Sequence, residues 1–343
     1  SILSLFVMYS TDSGEILFHT KSHFSKIIIF FPLMIFIAFF NIKWWHNLSY
    51  FFYFAVILLL IYVSFFGIKS SGSRRWMDLY LFNLQPSELM KIAIILCLAK
   101  YYHRIKIENV NSITSIMTVV TIIIIPIIMV LSQPDLGTSI LIAASGLIVL
   151  WLGGVKIKYF IYSFIVFLIS LPFVISFLKP YQKLRILTFL DPDRDPLGAG
   201  YQIIQSKIAI GSGGLDGKGF LKGTQSYLEF LPEKHTDFIF TLFSEEFGFV
   251  GSAILLVIYA IIIYRIVAIG ASSRSYFAKI FCYSFGAAIF VFITINMSMV
   301  LGLLPIVGSP LPIMSYGGSS MLATMIGFGI VMSARVHNQQ LIA

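Results

Sequence analysis

Asp237 closes the polar run Glu233-Lys234-His235-Thr236-Asp237, just before the apolar Phe238-Ile239-Phe240. A carboxyl at such a boundary loses part of its water, which raises its pKa and suits it to accept a proton. The same position, ahead of an apolar helix, also suits a simple helix cap favoured by the macrodipole. At this level both readings stand. Glu88 and Lys91 lie three residues apart in an apolar stretch opened by Gln85, and so share a helix face. Ionisable groups in such a stretch are costly unless paired or turned to a cavity. The two read as a structural ion pair that marks the cavity side. Glu245 and Glu246 enter a later apolar stretch at similar expense.

Arg74 and Arg75 precede Trp76 in a short connection that also holds Gly72. Guanidinium forks grip phosphate, either on a substrate or on the membrane surface. Asp135, ahead of Leu136-Gly137, reads as a helix N-cap. Tyr316-Gly317-Gly318-Ser319-Ser320 opens the last apolar stretch after Pro310 and Pro312, where small residues allow close helix packing, the default reading, or a ligand's approach.

Other chemistries fail on spacing. The run Gly211–Gly219 has Ser212 where a phosphate loop needs glycine, and Gly219 where it needs Ser or Thr. It reads as a flexible turn with Lys207, Lys218 and Lys222 available to an anion. No Ser-His-Asp set, HExxH or CxxC is present. Cys97 and Cys282 form no framework, and six scattered histidines predict no metal site.

These residues are carried by a chain that is 58% apolar and 11% charged. Soluble domains hold about 25% charged residues. The pattern predicts an all-α polytopic membrane protein with ten spans, near 1–10, 26–42, 48–68, 85–102, 113–132, 137–154, 157–178, 238–264, 279–303 and 313–334. The first is too short to span and reads as the end of a helix that begins before Ser1. A single membrane domain, 1–343, then holds one large polar loop, 179–237, between the seventh and eighth spans.

One set of short loops carries ten cations: Lys43, Lys100, Arg104, Lys106, Lys156, Lys158, Arg265, Arg274, Lys279 and Arg335. The opposite set carries five: Lys21, Lys26, Lys69, Arg74 and Arg75. The positive-inside rule makes the first side cytoplasmic and turns the long loop outward. That loop nevertheless holds eight cations, and the net charge is +9. An anionic ligand at the outer surface would explain this. Membrane lipid or a phosphorylated lipid fits; nucleic acid is not expected.

Seven stretches resemble the SEDS (shape, elongation, division and sporulation) family of bacterial cell-wall proteins. They are Gln85-Pro86-Ser87-Glu88 with Lys91, Gln133–Ser139, Asp195–Tyr201, Gln205–Ala209, Gly223-Thr224-Gln225, Leu231–Phe238 and Ser315–Ser319. The resemblance covers essentially the whole chain and is nearest the elongation branch. It implies ten helices with both ends cytoplasmic, in the inner membrane. It also implies glycan polymerisation from lipid II, an undecaprenyl-pyrophosphate-linked disaccharide-pentapeptide, during rod-shape maintenance. Asp237 matches the family's catalytic residue and becomes the expected general base of an inverting transfer. Arg74, Arg75, Lys207, Lys218 and Lys234 become candidates to hold the pyrophosphate, and Glu88, Lys91, Gln85, Ser315 and Tyr316 to shape the cavity. A divalent cation, Mg or Mn, is a further candidate for that charge, although no dedicated site is visible. The implied partner is a class B penicillin-binding protein, a transpeptidase. Two other readings are a lipid II flippase and a scaffold that only recruits the transpeptidase.

Overall fold

The computed structural model describes residues 1–70, 73–79, 82–177, 180–195, 198–224 and 233–342. Gly72, Lys179, Pro196, Leu197, Gln225, Leu231 and Pro232 of the stretches above lie outside the described residues.

Among the described residues, ten helices follow the ten predicted spans: α1 (Ile2–Thr11), α2 (Phe18–Phe39), α3 (Ile42–Phe66), α4 (Pro86–Arg104), α5 (Ile113–Ser132), α6 (Leu136–Leu152), α7 (Ile157–Phe177), α10 (Ile239–Ser272), α11 (Tyr276–Val300) and α12 (Gly318–Val336). The long loop adds α8 (Pro180–Leu190) and α9 (Ala199–Ser212). Six of the ten are long and apolar enough to cross a membrane by length and composition alone. Helix α4 is not among them because it carries Glu88, Lys91 and Lys100. It can hold them because every residue from Pro86 to Lys100 is buried among other helices. It packs against α3, α6, α11 and α12 and forms the centre of the bundle. The apolar faces of α2, α3, α5, α7 and α10 remain exposed, as lipid-facing surfaces do.

Two local features depart from the sequence reading. Helix α2 begins at Phe18, so His19, Lys21, His23 and Lys26 are helical rather than in a loop. Three short strands form a small antiparallel sheet, β1 (Ile68–Ser70), β2 (Ser73–Asp78) and β3 (Asn83–Leu84), in that order. Along β2 successive side chains alternate between faces. Arg74 is exposed, with Nη1 donating to the Phe65 carbonyl at 2.7 Å. Arg75 turns to the other side, toward the bundle.

The glycine-rich run is docked against α10. Helix α10 is interrupted at Gly248, whose φ of 63° lies in the left-handed region. The break frees backbone groups that the helix would otherwise pair. Lys218 and Gly219 donate to the Glu245 and Glu246 carbonyls at 3.0 Å each. Phe249 and Val250 donate to the Gly214 and Leu215 carbonyls at 2.9 and 3.1 Å. Glycine is required on both sides: a Cβ on Gly217 would meet the Glu246 carbonyl oxygen at 2.1 Å, and one on Gly248 would meet the Gly217 nitrogen at 2.3 Å.

Candidate active site

Asp237 sits one residue too early to cap α10, whose N-cap position is Phe238. Among the described residues its carboxyl accepts no hydrogen bond, so the cap reading fails. Its backbone, in contrast, is held at three consecutive carbonyls. Tyr316 N–H donates to His235 O at 2.8 Å. Ser315 Oγ donates to Thr236 O at 2.6 Å. Asn296 Nδ2, from α11, donates to Asp237 O at 2.9 Å and to Ser309 O at 2.6 Å. A side chain that bonds to nothing, on a backbone held this firmly, is positioned for something outside the protein.

The carboxyl opens into a cavity of about 510 Å³. First-turn or capping residues of four helices line it: Gln85 and Glu88 of α4, Asp135, Leu136 and Thr138 of α6, Asp237 and Phe238 at α10, and Gly317, Ser319 and Ser320 at α12. Each helix start brings unpaired N–H groups and partial positive charge. Two of these starts are already partly compensated. Asp135 caps α6 by accepting from Thr138 N at 3.1 Å, and its other oxygen accepts from Gln85 Nε2 at 2.8 Å. Glu88 pairs with Lys91 at 2.8 Å, both side chains being buried.

Two guanidiniums reach the same space. Arg75 donates from Nε to Gln133 O at 2.8 Å and from Nη2 to Pro134 O at 2.6 Å, which ties β2 to the start of α6. Arg185 arrives from α8 and donates from Nη1 to Ile306 O at 3.1 Å. The 306–308 segment lies against α6, where a Cβ on Gly137 would meet Val307 O at 2.2 Å. Arg185 stands in the sequence as only one of eight loop cations, with no motif to single it out. The packing of α8 over residue 306 selects it. Gln202 and Glu233 enter the lining in the same way.

The other predicted anion-binding residues go elsewhere. Lys218 pairs with the buried Glu245 at 2.6 Å and donates to Thr224 Oγ1 at 2.9 Å. Glu245 Oε1 also accepts from Thr224 N at 2.9 Å, and Glu246 Oε1 accepts from Ser10 Oγ. The two glutamates thus fasten the Gly-rich run and α1 to α10. Lys207 is exposed, with its side chain crowding Gly302. Arg74 lies on the outer face of β2. Lys234 is buried outside the cavity lining. Lys91 lies behind Glu88, its ammonium 4.8 Å from the centre of the Phe292 ring. Tyr316 lines the cavity, while Ser315 acts from behind through the Thr236 carbonyl.

The electrostatics favour a proton acceptor. Removal from water pushes the Asp237 carboxyl up to about 7, with Glu233 adding to the rise and Arg185 opposing it. A carboxylate so poised exchanges protons at neutral pH.

The histidines are not scattered in space. His19 and His235 stack with ring centroids 3.9 Å apart, and one ligand atom from each lies within 4.8 Å of the other and of Asp12. This differs from the expectation drawn from spacing, because residues 12, 19 and 235 meet only through the fold.

The profile of the cell cycle protein family of FtsW, RodA and SpoVE matches residues 1–340. The chain belongs to that family. It is 46% identical over 290 residues to the peptidoglycan glycosyltransferase MrdB of Escherichia coli K12, covering 84% of this chain and 78% of the relative. It is 38% identical over 311 residues to MrdB of Helicobacter pylori, covering 88% and 78%. Among solved structures, it superposes with a TM-score of 0.81 and 30% identity on a chain from a peptidoglycan synthase complex that coordinates polymerization and crosslinking, covering 94% and 90%. The fold is also that of the Thermus thermophilus rod shape determining protein RodA, with a TM-score of 0.73 at 23% identity. This chain is an all-α, multi-pass membrane protein, and it shares its fold with these solved structures.

Proposed function

We propose that the chain is a peptidoglycan glycosyltransferase that lengthens glycan strands from lipid II at the outer face of the membrane, with Asp237 as general base. The carrying observation is the unbonded Asp237 carboxyl, fixed by its backbone at the wall of a cavity that also holds Arg75 and Arg185. The relatives' shared activity supports the same reading. In this mechanism the acceptor sugar's 4-hydroxyl gives its proton to Asp237. Its oxygen bonds to the anomeric carbon of the growing chain as the bond to undecaprenyl pyrophosphate breaks, with inversion. A hydroxyl attacks poorly until a base within reach takes its proton. The leaving pyrophosphate needs positive charge in place beforehand. Arg75, Arg185 and the helix starts of α10 and α12 supply it, a narrower set than the loop's cations as a whole.

The lining carries four carboxyls, on Glu88, Asp135, Glu233 and Asp237, so a divalent ion would assist the pyrophosphate. Three of these are committed to Lys91, to the α6 cap and to proton transfer. Glu233, whose Oε2 accepts from Thr236 Oγ1 at 2.9 Å, would offer its other oxygen to such an ion, which would draw its remaining ligands from phosphate and water as Mg does. The outward loop, the cytoplasmic termini and docking to a class B penicillin-binding protein complete the proposal. The test is incubation of the purified chain with lipid II and separation of the products by length. Long glycan strands are expected, and transfer of lipid between leaflets without chain growth would replace this reading by the carrier.

A further inference from the structure

We propose that Asp12, His19 and His235 form a binding site for one divalent transition-metal ion of zinc type, which fastens the start of α2 to the segment that carries Asp237. The three residues offer two imidazoles and one carboxylate, with the chosen donor atoms all within 4.8 Å of one another. Two imidazoles and a carboxylate, with a position left for water, are a common donor set for such ions.

The surrounding hydrogen bonds aim the lone pairs. Thr11 has one hydroxyl proton and donates it to Met8 O at 2.8 Å. The same Oγ1 lies 3.0 Å from His235 Nδ1, so it accepts there, and Nδ1 carries the proton. Neutral His235 therefore keeps its lone pair on Nε2. This is the arrangement of a metal-binding histidine, whose second nitrogen is held by an outer partner. Asp12 shows the same division. Its Oδ2 accepts from Thr20 N at 2.9 Å and from Thr20 Oγ1 at 2.6 Å. Its Oδ1 is left facing His19 Nδ1 at 3.5 Å. The carboxylate is buried, its side chain 3% exposed, where an ionised group calls for a positive partner. A metal ion is such a partner.

The rings lie face to face, 16° from parallel. An ion binds in the plane of an imidazole, so one ring must turn about its Cβ–Cγ bond to share it. His19 has the room: its side chain is 39% exposed, and it touches Tyr316 only edge-on at 5.2 Å between centroids.

The experiment uses tag-free full-length protein in detergent, stripped with chelator, with cobalt(II) as probe. The visible spectrum reports coordination, and calorimetry reports stoichiometry and affinity. No lipid substrate is present, so the result is independent of the glycosyltransferase reading. One equivalent of cobalt is expected, with a visible spectrum unlike that of the hydrated ion. His19→Ala should remove this binding without unfolding the chain, since the ring is partly exposed. Thr11→Val, which removes the outer partner of His235 along with the Thr11–Met8 hydrogen bond, should weaken it by about 10–100-fold. Equal cobalt binding in wild type and His19→Ala, or a spectrum of hydrated ion alone, would overturn the proposal. A circular dichroism melt of each variant confirms that the comparison is between folded proteins.

Discussion

Replacing Asp237 with Asn keeps the size of the side chain and removes its charge. Two effects of opposite sign follow. The loss of a general base costs about 10²–10⁴ in rate, or roughly 3–5 kcal/mol of barrier. Stability should move the other way. The folded carboxyl is pushed up to about 7 from 3.8, mainly by removal from water. The folded state thus keeps a proton that the unfolded chain releases between those values. Wild-type stability falls as pH rises through this window, and the penalty is complete above about pH 7. At about 1.4 kcal/mol per unit, and with the carboxyl still touching cavity water, the penalty at pH 8 is roughly 2–4 kcal/mol. The amide of the Asp237→Asn variant carries no such penalty and orphans no donor, because the carboxyl it replaces accepts no hydrogen bond among the described residues. Lipid II polymerisation and thermal melts at pH 4.5 and 8 measure both effects on one preparation. The variant should be nearly inactive, melt well above wild type at pH 8, and come close to it at pH 4.5, where most of the penalty is gone. Activity within tenfold of wild type would refute the base role. A lower melting temperature at pH 8 would refute the burial argument.

Initial polymerisation rates should fall with acidity below about pH 7, by roughly 100-fold at pH 5, because only the ionised carboxylate accepts a proton; a flat profile over that range contradicts the assignment. Arg185→Ala should weaken retention of lipid II and inhibition by inorganic pyrophosphate by about 10–150-fold, the worth of one hydrogen bond to a charged group. Lys207→Ala, outside the cavity, should leave both near wild type, and titration of each variant with pyrophosphate separates the two. Asn296→Leu removes the donor to the Asp237 and Ser309 carbonyls and should cost about 1–3 kcal/mol of stability together with turnover. Denaturant titration and a kcat measurement read it out. Gly248→Ala forces a left-handed φ of 63° and a 2.3 Å approach to the Gly217 nitrogen. It should destabilise the chain by more than about 2 kcal/mol, visible as a lower thermal midpoint.

Composition and local pattern were enough for the membrane class and the ten helices, because runs of apolar residues long enough to cross lipid admit little else. They also located Asp237, Glu88 with Lys91, and the Asp135 cap, since each depends on neighbours within one helical turn. Spacing has no access to contacts between distant segments. Tertiary packing chose Arg185 from eight loop cations and sent Lys218 to Glu245. It also docked the glycine-rich run into the α10 break. The small sheet of β1, β2 and β3 hides in a short polar connection whose strand alternation extends over only a few positions. Asp12, His19 and His235 lie up to 223 positions apart and meet only because α2 packs beside the segment ahead of α10. Even the rejection of a helix cap at Asp237 was structural. The sequence puts a carboxyl at the membrane edge, but the position of Phe238 at the start of α10 and three held carbonyls leave that carboxyl facing the cavity.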